Sequence, residues 1–208
     1  MTWSSNSVVI YKITQSIATN IHVVQFLYNG IFVSANSAFQ LVIYNSTNGN
    51  QVKTLNGHTN TLEAIEVIDN TYMVSGGLDS TIRLWNYING TNVQVMNVSA
   101  QVYCLKLLNN GLLASGDTMA FIKIWNFTIG KIVANLTGHT GTVRAMDLLS
   151  TNVLASGDTN KVVIIWNLIT NTLLYSITTA HTYQIYALRG LSSNSFATGI
   201  SFNFISKI

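Results

Sequence analysis

The decisive stretch is Leu154-Ala155-Ser156-Gly157-Asp158-Thr159-Asn160-Lys161-Val162-Val163-Ile164-Ile165-Trp166-Asn167. A short apolar run closes on small residues, a polar segment follows, and a β-branched run ends in tryptophan. That is the pattern of two strands joined by a tight turn. The arrangement returns outward along the chain, in Ser34-Ala35 with Leu41-Val42-Ile43-Tyr44, Ser75-Gly76 with Ile82-Arg83-Leu84-Trp85, and Ser115-Gly116 with Ile122-Lys123-Ile124-Trp125. The terminal aromatics are spaced 41, 40 and 41 residues, Trp3 lies 41 before Tyr44, and Thr198-Gly199 continues the small-residue series. A third marker precedes three of these pairs: Gly57-His58-Thr59, Gly138-His139-Thr140 and Ala180-His181-Thr182. A period between about 20 and 50 residues indicates stacked structural units.

Each unit divides into four short strands, near 143–149, 153–157, 161–167 and 172–178 in the clearest one. Tyr28-Asn29-Gly30 and Asn109-Asn110-Gly111 supply hairpin turns, because Asn and Gly tolerate positive φ. No segment carries a helical period. The expected fold is all-β: a propeller of four-stranded antiparallel blades, each burying its faces on its neighbours and unstable alone.

Composition narrows the classes. The 208 residues are 48% apolar and 8% charged and contain no proline, so aliphatic content argues against disorder. The longest apolar run, Val162 to Trp166, is far too short for a membrane-spanning helix. The first seven residues show neither a basic nor a long apolar region, so no secretory signal is expected and the expected compartment is cytoplasmic or nuclear. The net charge of +3 comes from basic residues scattered singly, which argues against nucleic acid as a partner. Cys104 is alone, so neither an internal disulfide nor a cysteine-based metal site is expected. Five N-x-S/T sequons, at Asn45, Asn89, Asn97, Asn126 and Asn135, match the frequency expected by chance in so Asn- and Thr-rich a chain.

The Gly-His element, the Ser-Gly strand and the Ile-Trp-Asn ending together resemble the WD-repeat β-propellers, across essentially the whole chain. Asn stands at Asn86, Asn126 and Asn167 where that family more often has Asp, keeping a hydrogen-bonding side chain without the charge. The resemblance implies a single domain, 1–208, with a blade-closing strand in 1–16 and repeats at about 17–57, 58–97, 98–138, 139–180 and 181–208. Trp3 would lead into the closing strand at Val8–Ile13, and the last unit has Phe202 and Ile208 where the acid and the aromatic belong. A five-bladed ring and a fragment of a seven-bladed ring both fit.

His58, Ser75 and Asp79 are the residue types of nucleophilic hydrolysis. With Trp85 in the set, the resemblance implies a structural hydrogen-bond chain instead, running from indole through Ser and His to Asp. The counterparts are His139, Ser156, Asn160 and Trp166 in the unit ending at Trp166. In the unit ending at Trp125, Val98 and Met119 take the His and acid places; in the unit ending at Tyr44, Ile17 and Ala38 do. Apolar residues there are expected to replace the polar members together. The histidines His58, His139 and His181 fall in different blades and His22 is separate, so no metal site is expected, and no cofactor. No Gly-x-Ser-x-Gly or phosphate-binding Gly-Lys-Ser/Thr motif occurs, so no catalytic residues and no enzymatic activity are expected.

The family resemblance places a partner-binding ring on the top face, at His22, Glu63, Tyr103, Arg144 and Tyr186. Ser37, Leu78, Thr118, Thr159 and Ser201 would flank it, and Leu78 is counted with the binding residues. Aromatic and Arg side chains dominate binding hot spots. The expected function is a non-catalytic scaffold for protein or peptide partners, with no nucleic acid and no membrane. Membership of a multi-subunit complex or of a longer multidomain chain is compatible with it. The alternative, a five-bladed sugar-binding lectin-like propeller, would repeat one pocket chemistry in every blade, whereas these five residues are unlike.

Overall fold

The computed structural model describes residues 20–178, 181–192 and 195–200, and every regular element in them is a strand. The expected closing strand at Val8–Ile13, together with Trp3, Ile17, Ser201, Phe202 and Ile208, lies outside the described residues.

Blade I comprises β1 (Ile21–Phe26), β2 (Ile31–Asn36), β3 (Leu41–Asn45) and β4 (Gln51–Leu55). Blade II comprises β5 (Leu62–Val67), β6 (Tyr72–Gly77), β7 (Thr81–Asn86) and β8 (Thr91–Asn97). Blade III comprises β9 (Val102–Leu107), β10 (Leu113–Asp117), β11 (Phe121–Asn126) and β12 (Lys131–Thr137). Blade IV comprises β13 (Val143–Ser150), β14 (Val153–Asp158), β15 (Val163–Asn167) and β16 (Thr172–Ile177); blade V contributes β17 (Ile185–Ser192) and β18 (Ser195–Ile200). Each sheet pairs antiparallel in chain order. The first strands pack in succession, β1 on β5, β5 on β9, β9 on β13 and β13 on β17, so they form the inner wall and the fourth strands the rim.

The core lies between blades. Trp85 of blade II packs with Val33 and Ile43 of blade I, Trp125 with Val74 and Ile82 of blade II, and Trp166 with Ala114 and Ile124 of blade III. All three indoles are at most 2% exposed. Blade stacking explains the Ser-Gly pairs. A Cβ on Gly76, Gly116 or Gly157 would come within 2.6, 2.8 or 2.5 Å of the next blade's Val102, Val143 or Ile185. Gly57 and Gly138 likewise let the Gly-His segment lie on the Trp85 and Trp166 rings, where a Cβ would stand 3.1 and 3.2 Å from Cη2.

Two bulges recur. In every blade the pairing of the first strand skips one residue near its start, and in blades I to IV the outermost strand skips one opposite the aromatic. The outer bulges leave Val52, Val93, Val133 and Leu174 exposed and interrupt the outer-edge ladder, a device that discourages edge-to-edge pairing. At three β3-type ends, Asn45, Asn86 and Asn167 cap the following turn, each Oδ1 accepting two backbone N–H bonds. A neutral amide oxygen suffices there, which accounts for Asn in the Asp place at Asn86 and Asn167.

Candidate functional site

The polar chain inside the blades is built from side chains that would be costly to bury singly. In blade II, Trp85 Nε1 donates to Ser75 Oγ at 2.8 Å, Ser75 Oγ lies 2.7 Å from His58 Nε2, and His58 Nδ1 lies 2.7 Å from Asp79 Oδ2. Thr81 Oγ1 and the Thr59 amide also donate to Asp79. Burial works to raise the Asp79 pKa, but the hydrogen bonds and the His58 interaction outweigh it and hold the carboxyl well below its ordinary range. The serine Oγ is engaged by indole and imidazole and is fully buried.

Blade IV departs from the sequence-based expectation. Asn160 is not in the acid place: its amide donates to Thr140 Oγ1 at the surface. Asp158, at the end of β14, puts Oδ2 2.9 Å from His139 Nδ1, while His139 Nε2 is 2.6 Å from Ser156 Oγ and Trp166 Nε1 donates to the same oxygen at 2.7 Å. Burial again works against the charge, yet the His139 hydrogen bond and backbone donors keep the Asp158 pKa low. Among the described residues, the chain of four is therefore complete in two blades.

Blade III corrects the expected apolar replacement. Trp125 still donates to Ser115 Oγ at 2.9 Å, Val98 is buried, and fully buried Asp117 forms an ion pair with Lys123. Asp117 Oδ1 also accepts the Met119 and Phe121 amides, as Asn36 Oδ1 accepts those of Ala38 and Gln40 in blade I. The signal was present in the sequence: Asn36, Asp117 and Asp158 each stand two residues after the strand serine, where blade II has Gly77. In blade V, His181 Nε2 bonds Thr198 Oγ1. The histidines His58 and His139 each serve their own blade, and among the described residues no cluster of His, Cys, Asp and Glu could hold a metal.

The five ring residues share one backbone feature. His22, Glu63, Tyr103, Arg144 and Tyr186 are the residues skipped at the five first-strand bulges. A bulge re-aims its side chain, and bulges concentrate beside functional sites. Glu63, Tyr103, Arg144 and Tyr186, with Val23 and Gln25, line an open cavity of about 470 Å³. His22 is exposed and does not line it, and neither does Leu78, whose amide donates to Thr61 O. Arg144 packs on two rings, its Cζ 4.1 Å from the Tyr103 centroid and 4.8 Å from that of Tyr186. Both distances are within cation–π range.

Three residues beyond the ring positions lies a set that sequence reading missed: Gln25, Glu66, Lys106, Asp147 and Arg189. Lys106 Nζ is 2.9 Å from Asp147 Oδ1 and 3.6 Å from Glu66 Oε1, and Arg189 Nε is 3.6 Å from Asp147 Oδ2. Glu66 also accepts the Leu107 amide and Asp147 the Gly190 amide, each from the next blade. The belt alternates in sign and ties neighbouring first strands together. Burial pushes the Glu66 pKa up, whereas Asp147, which burial also opposes, is held low by its closer Lys106 and the Gly190 N–H. The same spacing that marks the ring would have found it.

The family model described as "WD domain, G-beta repeat" matches residues 49–86 and 130–167. Each match ends on the Trp-Asn pair of a blade whose Trp–Ser–His–Asp chain is complete. No curated protein matches the chain.

Proposed function

Because the chain belongs to the WD-repeat family, whose members generally serve as interaction scaffolds, we propose that it is a non-catalytic scaffold presenting the bulge-borne ring to a protein or peptide partner. The observation that carries this reading is the convergence of Glu63, Tyr103, Arg144 and Tyr186 on one open cavity. A glutamate, an arginine and two tyrosines suit one asymmetric ligand better than a sugar repeated in every blade. The Ser-His-Asp sets are occupied in holding strands together, so they support structure and not hydrolysis.

The test is a photo-crosslinking amino acid placed at Tyr186 and, as control, at Asn110 in the turn at the opposite end of blade III. A discrete protein adduct in cells from Tyr186 only, lost with Tyr103→Ala and Arg144→Ala at unchanged melting temperature, is expected. Adducts from both positions, or from Asn110 alone, would move the interface away from the ring.

A further inference from the structure

We infer that Arg144 is an oxyanion receptor, and that the partner segment it takes is acidic, delivering a side-chain carboxylate to the guanidinium packed on Tyr103 and Tyr186. This deepens the scaffold reading and rests on it. The chain has seven Asp and Glu residues, all within the described part. Asp79 and Asp158 are taken by histidines, Asp117 by Lys123, and Glu66 and Asp147 by Lys106 and Arg189. Asp69 caps the β5–β6 turn through the Thr71 and Tyr72 amides. Only Glu63 remains, and although it lines the same cavity it makes no ion pair with Arg144.

Among the described residues the guanidinium thus has no counter-charge, and its Nε is buried with no acceptor there. Arg83 Nε is also buried and unpartnered, but Arg83 does not line this cavity. The two rings pack on Arg144 at cation–π distance, where the guanidinium face is used, and a planar carboxylate matches the N–H edge of a guanidinium with two parallel hydrogen bonds. The cavity also selects among oxyanions. Glu63 repels a dianionic phosphate more strongly than a monovalent carboxylate, and its own charge suits a donor group flanking the acidic residue.

Three arginines in the chain make the test direct, because the Nε–H region of a nitrogen-15 spectrum holds only three side-chain signals. Arg144→Lys assigns its peak by loss. A capped seven-residue Gly/Ser peptide with a central glutamate is titrated in, alongside its glutamine analogue and inorganic phosphate. A saturable shift of the Arg144 signal by the glutamate peptide is expected, at least roughly tenfold weaker with glutamine, and weakened again in Tyr103→Leu while the backbone spectrum stays folded. Equal shifts from both peptides, no shift up to tens of millimolar, or tighter binding of phosphate would each overturn the proposal. Failure here alongside ring-specific crosslinking would remove the acidic-ligand assignment and leave the scaffold reading standing.

Discussion

Asp158 Oδ2 lies 2.9 Å from His139 Nδ1, the contact that Asp79 makes with His58 in blade II at 2.7 Å, although Asp158 ends a strand and Asp79 sits in a turn. Two backbone positions thus deliver a carboxylate to one place. The consequence is a reversal of roles within a three-residue stretch. Asp158→Ala should destabilise the protein by about 3 kcal/mol, since it strands a buried histidine and two backbone donors, whereas Asn160→Ala should stay within about 0.5 kcal/mol. Chemical denaturation of the two variants decides it. Equal effects would return the acid role to Asn160.

Ser75 accepts from Trp85 and contacts His58, with no room for solvent. Ser75→Ala leaves an indole N–H and an imidazole nitrogen unsatisfied, an expected loss of about 2–4 kcal/mol. A drop in melting temperature of several degrees is the readout.

Acid should unfold the protein through the same carboxylates. Asp79, Asp147 and Asp158 have folded-state pKa values below their unfolded ones. Their stabilisation is therefore present above the unfolded carboxylate range and lost as pH falls from about 4 through the folded values. Melting curves across that range should steepen downward for the native protein and flatten for Asp158→Asn.

The belt has the opposite sign once its cation is removed. Lys106→Met removes the cation that Glu66 and Asp147 share, so the folded pKa of Glu66, already raised by burial, rises further, while Asp147 keeps Arg189 and the Gly190 N–H. Ionising Glu66 then costs more stability as pH rises, so the variant should lose more melting temperature between pH 5 and pH 7 than the native chain does, by several degrees. Invariance with pH would show that the belt is too solvated to matter.

Gly116 faces Cys104 Sγ and the next blade's Val143, which would stand 2.6 and 2.8 Å from an added Cβ. Gly116→Ala is expected to cost about 1–3 kcal/mol by forcing blades III and IV apart. The equivalent position in blade I already carries Ala35, fully buried, so Ala35→Gly should be the milder change.

What the sequence by itself determined is whatever repeats with the chain: the 41-residue period, the strand order and the Trp–Ser–His spacing. Each of these is set by local residue pattern, since a strand's side-chain alternation and an Asn-Gly turn are properties of neighbouring residues. Tertiary structure alone decided which carboxylate reaches each histidine, because that depends on the direction in which a turn carries its side chain. Only packing of blades III and V against blade IV brings Tyr103 and Tyr186 onto Arg144, and only the meeting of first strands turns Glu66, Lys106, Asp147 and Arg189 into a belt. Those pairs are some 40 residues or more apart, and no local pattern encodes the distance between them.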